Sequence, residues 1–293
     1  MDIAESRVLV LSDGRTGSLN QSLGVAAMLG FADPETQVLK KAITAQWLRW
    51  LPVGMLYENI REVERAAHQA DILIAAGHAP SRVLRYLKKQ NPKLFIVAMM
   101  RPSKPFAAYD AIAIPRHDGA KTADNIILTL GNCNHITKAL LAQEADRWRK
   151  RLSHLRGFKL ALLVGGDSRH APFGATHAQA MIETIAKQLK AQAHHDAALL
   201  VTTSRRTSPA ATKAIEKALE DSAIPYHLWR PNGEDGRDNP YLAYLALADT
   251  VLITADSTSM VSEAATAGKP VVLWGDPTKA PKKFKALYQA LIN

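Results

Sequence analysis

Cysteine is almost absent from this chain of 293 residues, in which Cys133 is the only one. A single cysteine excludes an internal disulfide and a multi-cysteine metal cage, and it is typical of a reducing compartment. No apolar run approaches the roughly 20 residues that cross a bilayer, and the acidic first residues do not resemble a signal peptide. We therefore expect a cytoplasmic protein, with peripheral contact to an anionic inner-membrane surface left open.

Several nucleotide-binding and metal-binding motifs are also missing. No glycine spacing matches a dinucleotide fingerprint or a Walker-type loop, and no zinc-finger spacing or aromatic RNA-binding signature occurs. The chain has no Asp-x-Asp pair, which a divalent metal bridging a diphosphate would normally need. We therefore expect no metal, no cofactor and no nucleic-acid partner.

Basic residues outnumber acidic ones, 37 to 27, which gives a formal charge of +10. A positive excess predicts an anionic partner. Because the excess is spread over both halves of the chain, it favours a nucleotide or a phospholipid surface over a nucleic acid bound by a basic tail.

Apolar runs alternate with helix-like stretches along the whole chain. The runs cover residues 8–12, 72–75, 94–99, 111–114 and 126–130, and in the second half 160–164, 198–202, 226–229, 251–254 and 271–274. Continuous apolar strands separated by helices are typical of parallel sheets covered on both faces. We therefore predict an α/β fold of two Rossmann-like parallel-sheet domains, residues 1–150 and 151–293, that face a cleft.

Two loops of the second half carry groups that suit phosphate. The first, Gly165-Gly166-Asp167-Ser168, contains two glycines that allow a ligand to approach the backbone closely. The second contains Ser204, Arg205 and Arg206, whose guanidinium groups can neutralise a diphosphate. A tight turn and a solvated arginine pair are the alternative interpretations.

A third loop gives the strongest signal. Asp256 ends an apolar run, Ser257-Thr258-Ser259-Met260 follow at a predicted helix start, and Glu263 lies one turn after Ser259. Hydroxyl groups and free N–H groups at a helix start receive phosphate, and a carboxylate one turn deeper can accept hydrogen bonds from ribose. A plain helix cap is the alternative. Because the three loops follow strands of one predicted sheet, we expect them to meet.

The first half offers candidate bases. Asp13 stands at the end of the first predicted strand, and Pro115-Arg116-His117-Asp118 follows another. A histidine beside a carboxylate suits proton transfer, whereas a polar loop with a turn-forming Asp-Gly is the alternative. We predict that Asp13, or the pair His117 and Asp118, is the catalytic base.

An aromatic cluster around Trp47 and Trp50 is flanked by the basic residues Lys40, Lys41 and Arg49. Tryptophan among basic and aliphatic residues suits a membrane interface. A core-packing helix and loop is the alternative interpretation.

Six segments, taken together and in this order, resemble one known family. They are Ser12-Asp13-Gly14…Gly17…Asn20-Gln21, Pro115-Arg116-His117-Asp118, Leu130-Gly131…His135-Ile136-Thr137, Val164-Gly165-Gly166-Asp167-Ser168, Thr202-Thr203-Ser204-Arg205-Arg206-Thr207 and Thr254-Ala255-Asp256-Ser257…Ser259-Met260-Val261-Ser262-Glu263-Ala264. That family contains the plant mitochondrial fission factor and bacterial glycosyltransferase-like proteins, including enzymes of lipooligosaccharide outer-core assembly. The resemblance covers nearly the whole chain.

The resemblance implies an architecture similar to GT-B glycosyltransferases and a nucleotide-diphosphate sugar as substrate. Glu263 would hold the donor ribose, while residues 257–259 and the glycine loop would hold the diphosphate. The first half would bind a cell-envelope glycolipid acceptor, with Gly14, Gly17, Asn20, Gln21 and Arg116 on the acceptor side. The family's plant branch implies a different possibility, a non-catalytic protein that recruits partners at a membrane surface.

Overall fold

A computed structural model describes residues 5–42, 51–167, 172–192, 196–231, 233, 238–276 and 280–292. The chain divides into two compact units, Met1–His135 and Ile136–Asn293. Each unit contains one parallel sheet with helices on its faces. The predicted α/β fold with two parallel-sheet domains is therefore confirmed. No helix in the described ranges has the length and apolar character that a bilayer span requires.

The first unit is built around a six-stranded parallel sheet with the order β2-β1-β3-β4-β5-β6. Its elements are β1 (Val8–Ser12), α1 (Thr16–Met28), β2 (Glu35–Val38), α2 (Val53–Leu56), α3 (Ile60–His68), β3 (Ile72–Ala76), α4 (His78–Gln90), β4 (Phe95–Met99), β5 (Ala111–Pro115) and β6 (Ile126–Thr129). Alternate residues of β1 enter different cores: Leu9 packs on one face of the sheet and Val10 on the other. Both faces are covered, so the strand is apolar throughout.

The second unit is built around a five-stranded parallel sheet with the order β11-β10-β7-β8-β9. Its elements are α5 (Lys138–Arg149), β7 (Lys159–Leu163), α6 (Ala175–Ala191), β8 (Ala198–Thr202), α7 (Pro209–Ser222), β9 (Tyr226–Trp229), α8 (Tyr241–Leu247), β10 (Thr250–Thr254), α9 (Thr258–Thr266), β11 (Val271–Trp274) and α10 (Lys282–Ile292). Leu162 and Leu163 of β7 again enter two separate cores. Since all strands are parallel, their carboxyl ends meet at one edge of the sheet.

The border between the units lies before α5, not after residue 150 as we predicted. The reason is packing: Trp148 of α5 is buried in the same core as Tyr244 of α8 and Leu155. A charged, helix-like composition at 138–152 suggests a linker, but one face of this helix is part of the second unit's core.

Candidate functional site

Three of the predicted loops start side by side in the second unit. Strand β7 lies between β10 and β8, and it pairs in register with both. The segments that follow these strands begin at Val164, Thr203 and Ala255. The structure therefore brings together the glycine loop, the arginine loop and the start of α9.

Gly165 is the point where these loops are joined. Its N–H donates to Thr254 Oγ1 at 2.8 Å, and its carbonyl oxygen accepts hydrogen bonds from the hydroxyls of Ser204 and Thr207. A Cβ atom at this position would lie 2.3 Å from the Oδ1 atom of Asp256. A glycine is needed here because a side chain would collide with a carboxylate of the neighbouring loop.

The next two residues tie the glycine loop to the arginine loop. A Cβ atom on Gly166 would lie 2.2 Å from the carbonyl oxygen of Arg206, and the Asp167 N–H donates to that oxygen at 3.3 Å. The Asp167 carboxylate accepts from the Phe173 N–H at 2.6 Å, so it closes the loop before α6. Ser168, also predicted here, lies outside the described residues.

Arg206 and Asp256 form an ion pair across the site, with 2.6 Å between Nη1 and Oδ2. The Asp256 side chain is 3% exposed and that of Arg206 is 45% exposed. Arg206 therefore compensates a buried carboxylate, although its own side chain, like that of Arg205, is exposed.

Helix α9 begins as predicted. The Ser257 hydroxyl accepts from the Met260 N–H at 3.4 Å, so Ser257 is the N-cap of α9. Thr258 and Ser259 are partly buried in the first turn. The cap interpretation is thus confirmed for Ser257, and it leaves the positive end of the helix dipole at the site.

Glu263 lies deeper in α9 and is partly buried. Its carboxylate accepts a hydrogen bond from the Tyr241 hydroxyl at the start of α8. Burial raises the pKa of Glu263 to about 7, and the hydrogen bond from Tyr241 acts in the opposite direction. Burial, together with the Glu263 charge, holds the pKa of Tyr241 well above its usual range. A strongly perturbed carboxylate of this kind is typical of a binding or catalytic site.

Two supporting residues carry no signal in the sequence. Tyr241 follows Pro240 at the start of α8. Neither its residue type nor its position in the sequence predicts its hydrogen bond to Glu263. Tyr288 of α10 donates its hydroxyl to the Ala255 carbonyl oxygen at 2.8 Å and so supports the loop after β10. Burial, followed by the Asp256 charge, raises the pKa of Tyr288 to about 12.

A cavity of about 360 Å³ opens at the glycine loop and at the carboxyl end of β10. Its walls include Gly166, Phe173, His177, Asp256, Trp274 and Phe284. A groove of about 820 Å³ shares Trp274 with this cavity and is lined further away by Leu189 of α6, Leu252 and Val272. Among the described residues, no charged side chain lines that groove, which makes it a poor match for a diphosphate. In the described part of the chain, no group of three or more His, Cys, Asp and Glu side chains is arranged to hold a metal ion.

In the first unit, the two candidate bases lie apart. Asp13 follows β1 and His117 follows β5, with β3 and β4 between them. Three strand spacings amount to roughly 14 Å, so one acceptor hydroxyl cannot reach both groups. Asp13 lines a cavity of about 480 Å³, and its Oδ1 accepts from the Arg15 N–H at 3.2 Å.

The segment Arg116–Asp118 forms a 3₁₀ turn that ends at Gly119, whose φ is 66°. This agrees with the polar-loop interpretation. The Asp118 carbonyl oxygen accepts from Arg101 Nη1 at 2.7 Å, and Arg116 is exposed.

The remaining acceptor-side residues lie at or within the start of α1. Gly14 and Gly17 are exposed and Asn20 is partly buried. Gln21 is only 4% exposed, and its Nε2 donates to the Gly17 carbonyl oxygen at 3.3 Å. Gln21 therefore faces the interior of the unit rather than solvent. Trp47 and Trp50, the centre of the predicted membrane cluster, lie outside the described residues.

A family model described as mitochondrial fission ELM1 matches residues 16–293 of this chain. An uncharacterized protein of Rickettsia prowazekii is 26% identical over 321 residues, covering 98% of this chain and 88% of the relative. The mitochondrial fission protein ELM1 of Arabidopsis thaliana is 25% identical over 346 residues, covering 92% of this chain and 78% of the relative.

Among solved structures, the chain is similar to a UDP-GlcNAc 2-epimerase of Methanocaldococcus jannaschii in complex with UDP-GlcNAc and UDP. The TM-score is 0.45 at 11% identity, over 98% of this chain and 91% of that one. It is also similar to a UDP-forming α,α-trehalose-phosphate synthase of Burkholderia xenovorans. Here the TM-score is 0.45 at 14% identity, over 98% and 91% of the two chains.

Proposed function

The chain belongs to the mitochondrial fission ELM1 family, and we propose that it is a metal-independent glycosyltransferase. The second unit holds a nucleotide-diphosphate sugar and the first unit holds the acceptor. On the resemblance stated above, the acceptor is a hydroxyl group of a cell-envelope glycolipid.

The convergence of three loops at the carboxyl edge of β10, β7 and β8 supports the donor site most directly. Gly165 and Gly166 let the glycine loop pack directly against Asp256 and Arg206, because a Cβ atom at either position would collide with the neighbouring loop. The amino end of α9 and the exposed Arg205 supply positive charge beside it. A helix dipole and a guanidinium group together suit a diphosphate.

Transfer needs a base and a stabilised leaving group. We assign the base to Asp13, which takes the proton of the acceptor hydroxyl as its oxygen attacks the anomeric carbon. The bond from that carbon to the diphosphate oxygen breaks, and the nucleoside diphosphate leaves with the electron pair. Arg205 and the first turn of α9 stabilise the added negative charge.

Glu263 accepts hydrogen bonds from the ribose hydroxyls in this proposal. Its pKa of about 7 leaves a large fraction of carboxylate at neutral pH. Tyr241 holds that carboxylate in place through its hydroxyl group.

Calorimetric titration of the full chain with UDP-glucose, UDP-N-acetylglucosamine and GDP-mannose tests the donor site. We expect micromolar binding of at least one donor, lost in Glu263→Ala and weakened about tenfold or more in Arg205→Ala. Glu183→Ala, on an exposed face of α6, is the matched control and should bind like the parent. The donor assignment is wrong if none of these donors binds, or if Glu263→Ala binds them as the parent does.

The family description favours a second candidate, a protein that recruits partners at a membrane without catalysis. The same titrations separate the two. Absence of nucleotide-sugar binding, together with sedimentation on anionic phospholipid vesicles, would support recruitment. Binding that depends on Glu263 would support the transferase.

A further inference from the structure

The apolar groove of about 820 Å³ on the second unit lies where α6 borders the outer strands β10 and β11. Its walls include Ile185 and Leu189 of α6 and Leu252, Val272 and Trp274 of the sheet. Its charged lining is nil among the described residues. The groove therefore suits the uncharged, apolar part of a ligand, since a charged group would lose its water there without a partner.

Most of the apolar side chains of this groove are recessed. Ile185, Leu189 and Leu252 are 4%, 5% and 7% exposed, whereas Val272 is 49% exposed. Val272 is the one exposed large apolar side chain in the described part of the second unit. A stable interface between proteins needs about 800 Å² from each partner, which a single exposed valine does not provide. A thin hydrocarbon chain can instead reach the recessed side chains.

The groove follows the direction of the strands. It extends from Thr250, the first residue of β10, to Trp274, the last residue of β11, which pairs with Thr254. The four residue steps from 250 to 254 span roughly 13 Å. An extended hydrocarbon chain of roughly ten carbon atoms has this length, and the volume lies within the range of small-molecule sites.

The groove continues into the cavity of about 360 Å³ at the glycine loop, because Trp274 and Gly275 line both. The position of this border is fixed by the backbone, since the Trp274 carbonyl oxygen accepts from the Ala255 N–H at 3.0 Å. A ligand that fills both spaces therefore passes Trp274.

The smaller cavity has the chemistry of a sugar site. Phe173, Trp274 and Phe284 give it aromatic walls, and His177 and Asp276 add polar side chains. The C–H groups of a sugar ring pack against the electron-rich face of an aromatic ring, and carboxylate and imidazole groups hydrogen-bond to hydroxyls. Within the described ranges, neither lysine nor arginine lines this cavity. It therefore favours a neutral sugar over an anionic head group.

We propose that the cavity and the groove together bind a glycolipid, with a sugar in the cavity and one hydrocarbon chain in the groove. Trp274 lies where the chain joins the sugar. This deepens the proposed function, on which it rests only for the identification of the glycolipid as the acceptor. Binding of the glycolipid does not require that transfer occurs.

Calorimetric titration of the full chain with alkyl β-glucosides, below the concentrations at which they form micelles, tests the site. We expect one octyl glucoside to bind per chain, and methyl glucoside, which has no hydrocarbon chain, not to bind at the same concentrations. Each buried CH₂ group should strengthen binding about fourfold, so that octyl glucoside binds about 15-fold more tightly than hexyl glucoside. Dodecyl glucoside should gain little over decyl glucoside, because the groove holds roughly ten carbon atoms.

Two substitutions place a charge on the groove from opposite sides. Val272→Asp on β11 and Gln188→Glu on α6 should each weaken octyl glucoside binding about fivefold or more, because a carboxylate beside the chain must lose water. Matched controls are Val38→Asp on the exposed edge strand β2 and Gln289→Glu on the exposed face of α10. Both should bind octyl glucoside like the parent.

A third substitution tests the junction between the two spaces. Trp274→Leu keeps an apolar side chain but removes the ring that borders both the sugar and the chain. We expect octyl glucoside to bind the parent more tightly than 1-octanol does, and Trp274→Leu to bind the two ligands about equally.

Three results would overturn the proposal. They are equal affinities for hexyl and octyl glucoside, octanol binding to the parent as tightly as octyl glucoside, and unchanged affinity in both charged variants. Circular dichroism melting shows whether Val272→Asp folds. If it does not, Gln188→Glu carries the test, because its side chain is exposed on a helix.

Sedimentation velocity tests a second copy of the chain as the occupant of the groove. We expect the parent and Val272→Asp to sediment alike. A dimer of the parent that Val272→Asp dissociates would assign the groove to an interface and would also overturn the proposal.

The two proposals fail separately. Octyl glucoside binding without nucleotide-sugar binding keeps the glycolipid site and rejects the transferase. Nucleotide-sugar binding through Glu263 without a preference for the longer alkyl chain keeps the donor site and rejects the groove as a chain site.

Discussion

Replacing Glu263 with glutamine is expected to stabilise the protein at pH 8 and to change little at pH 5. The carboxyl pKa is about 7 in the folded protein against an ordinary value of 4.5. Between these values the folded protein holds a proton that the unfolded chain has released, so stability falls as pH rises through this window. The difference between 7 and 4.5 corresponds to about 3 kcal/mol of unfolding free energy.

Urea unfolding of the parent and of Glu263→Gln at pH 5 and pH 8 measures this effect. Glutamine has nearly the same size and can still accept from the Tyr241 hydroxyl, so the packing is preserved. Other groups titrate in the same range, but they are common to both proteins and cancel in the difference. We expect Glu263→Gln to gain about 3 kcal/mol over the parent at pH 8 only.

A matched control is Glu183→Gln on α6, whose carboxylate is exposed and accepts from Gln179. It should leave the pH dependence of stability as in the parent. If Glu263→Gln and the parent lose stability equally between pH 5 and pH 8, the carboxylate is not desolvated as the structure indicates, and the reasoning fails.

Three further changes test the geometry of the loops. Arg206→Ala leaves the buried Asp256 carboxylate without its cation and should lower the unfolding free energy by about 2 kcal/mol in urea. Gly165→Ala puts a Cβ atom 2.3 Å from Asp256 Oδ1 and should cost about 1–3 kcal/mol, seen as a lower melting temperature. Tyr241→Phe removes the hydrogen bond that lowers the pKa of Glu263, so donor affinity by calorimetry should fall more at pH 7 than at pH 8.5.

Each of these three predictions has a control variant or an outcome that would contradict it. Arg205→Ala should leave stability near that of the parent because Arg205 is exposed. Gly174→Ala should cost less than Gly165→Ala because, among the described residues, a Cβ atom there would meet no atom within 4 Å other than those of its chain neighbours. Donor affinity in Tyr241→Phe that matches the parent at both pH values would separate Tyr241 from the ribose site.

Apolar strands were readable from the sequence even at the sheet edges, as β6 and β11 show, and the polar edge strand β2 was not. The runs at β1 and β3 are fully buried and almost entirely apolar, so their composition predicts that they lie in the interior of a sheet. Strand β2, with the sequence Glu-Thr-Gln-Val, lies at the sheet edge and is mostly exposed. It forms because its backbone pairs with β1, and its sequence has no apolar pattern that would predict a strand. Helix α3 did carry a signal, since Ile60, Val63 and Ala67 recur at helical spacing and are buried.

The candidate site likewise has features that the sequence predicts and features that it does not. Loops at the ends of β7, β8 and β10 were predictable as neighbours because the carboxyl ends of parallel strands share an edge. The contacts that give them shape were not, since Gly165 and Thr254 are 89 residues apart and Tyr241 and Glu263 are on different helices. The distance between Asp13 and His117 depends on the order of the strands in the sheet, and neither sequence motif predicts that order.

The second unit contains two carboxylates, that of Asp256, which is buried, and that of Glu263, which is partly buried, and they differ in what compensates their charge. Asp256 faces the guanidinium group of Arg206, so its burial is balanced within the protein. Glu263 faces the neutral phenol of Tyr241, which offsets only part of the desolvation that raises its pKa. A glutamine there would accept the same hydrogen bond without that cost, so the fold alone gives no reason for a carboxylate. A ligand with paired hydroxyl groups supplies the missing donors, because each hydroxyl can give one hydrogen bond to a carboxylate oxygen. This argument supports our proposal that Glu263 holds the ribose of a nucleotide donor.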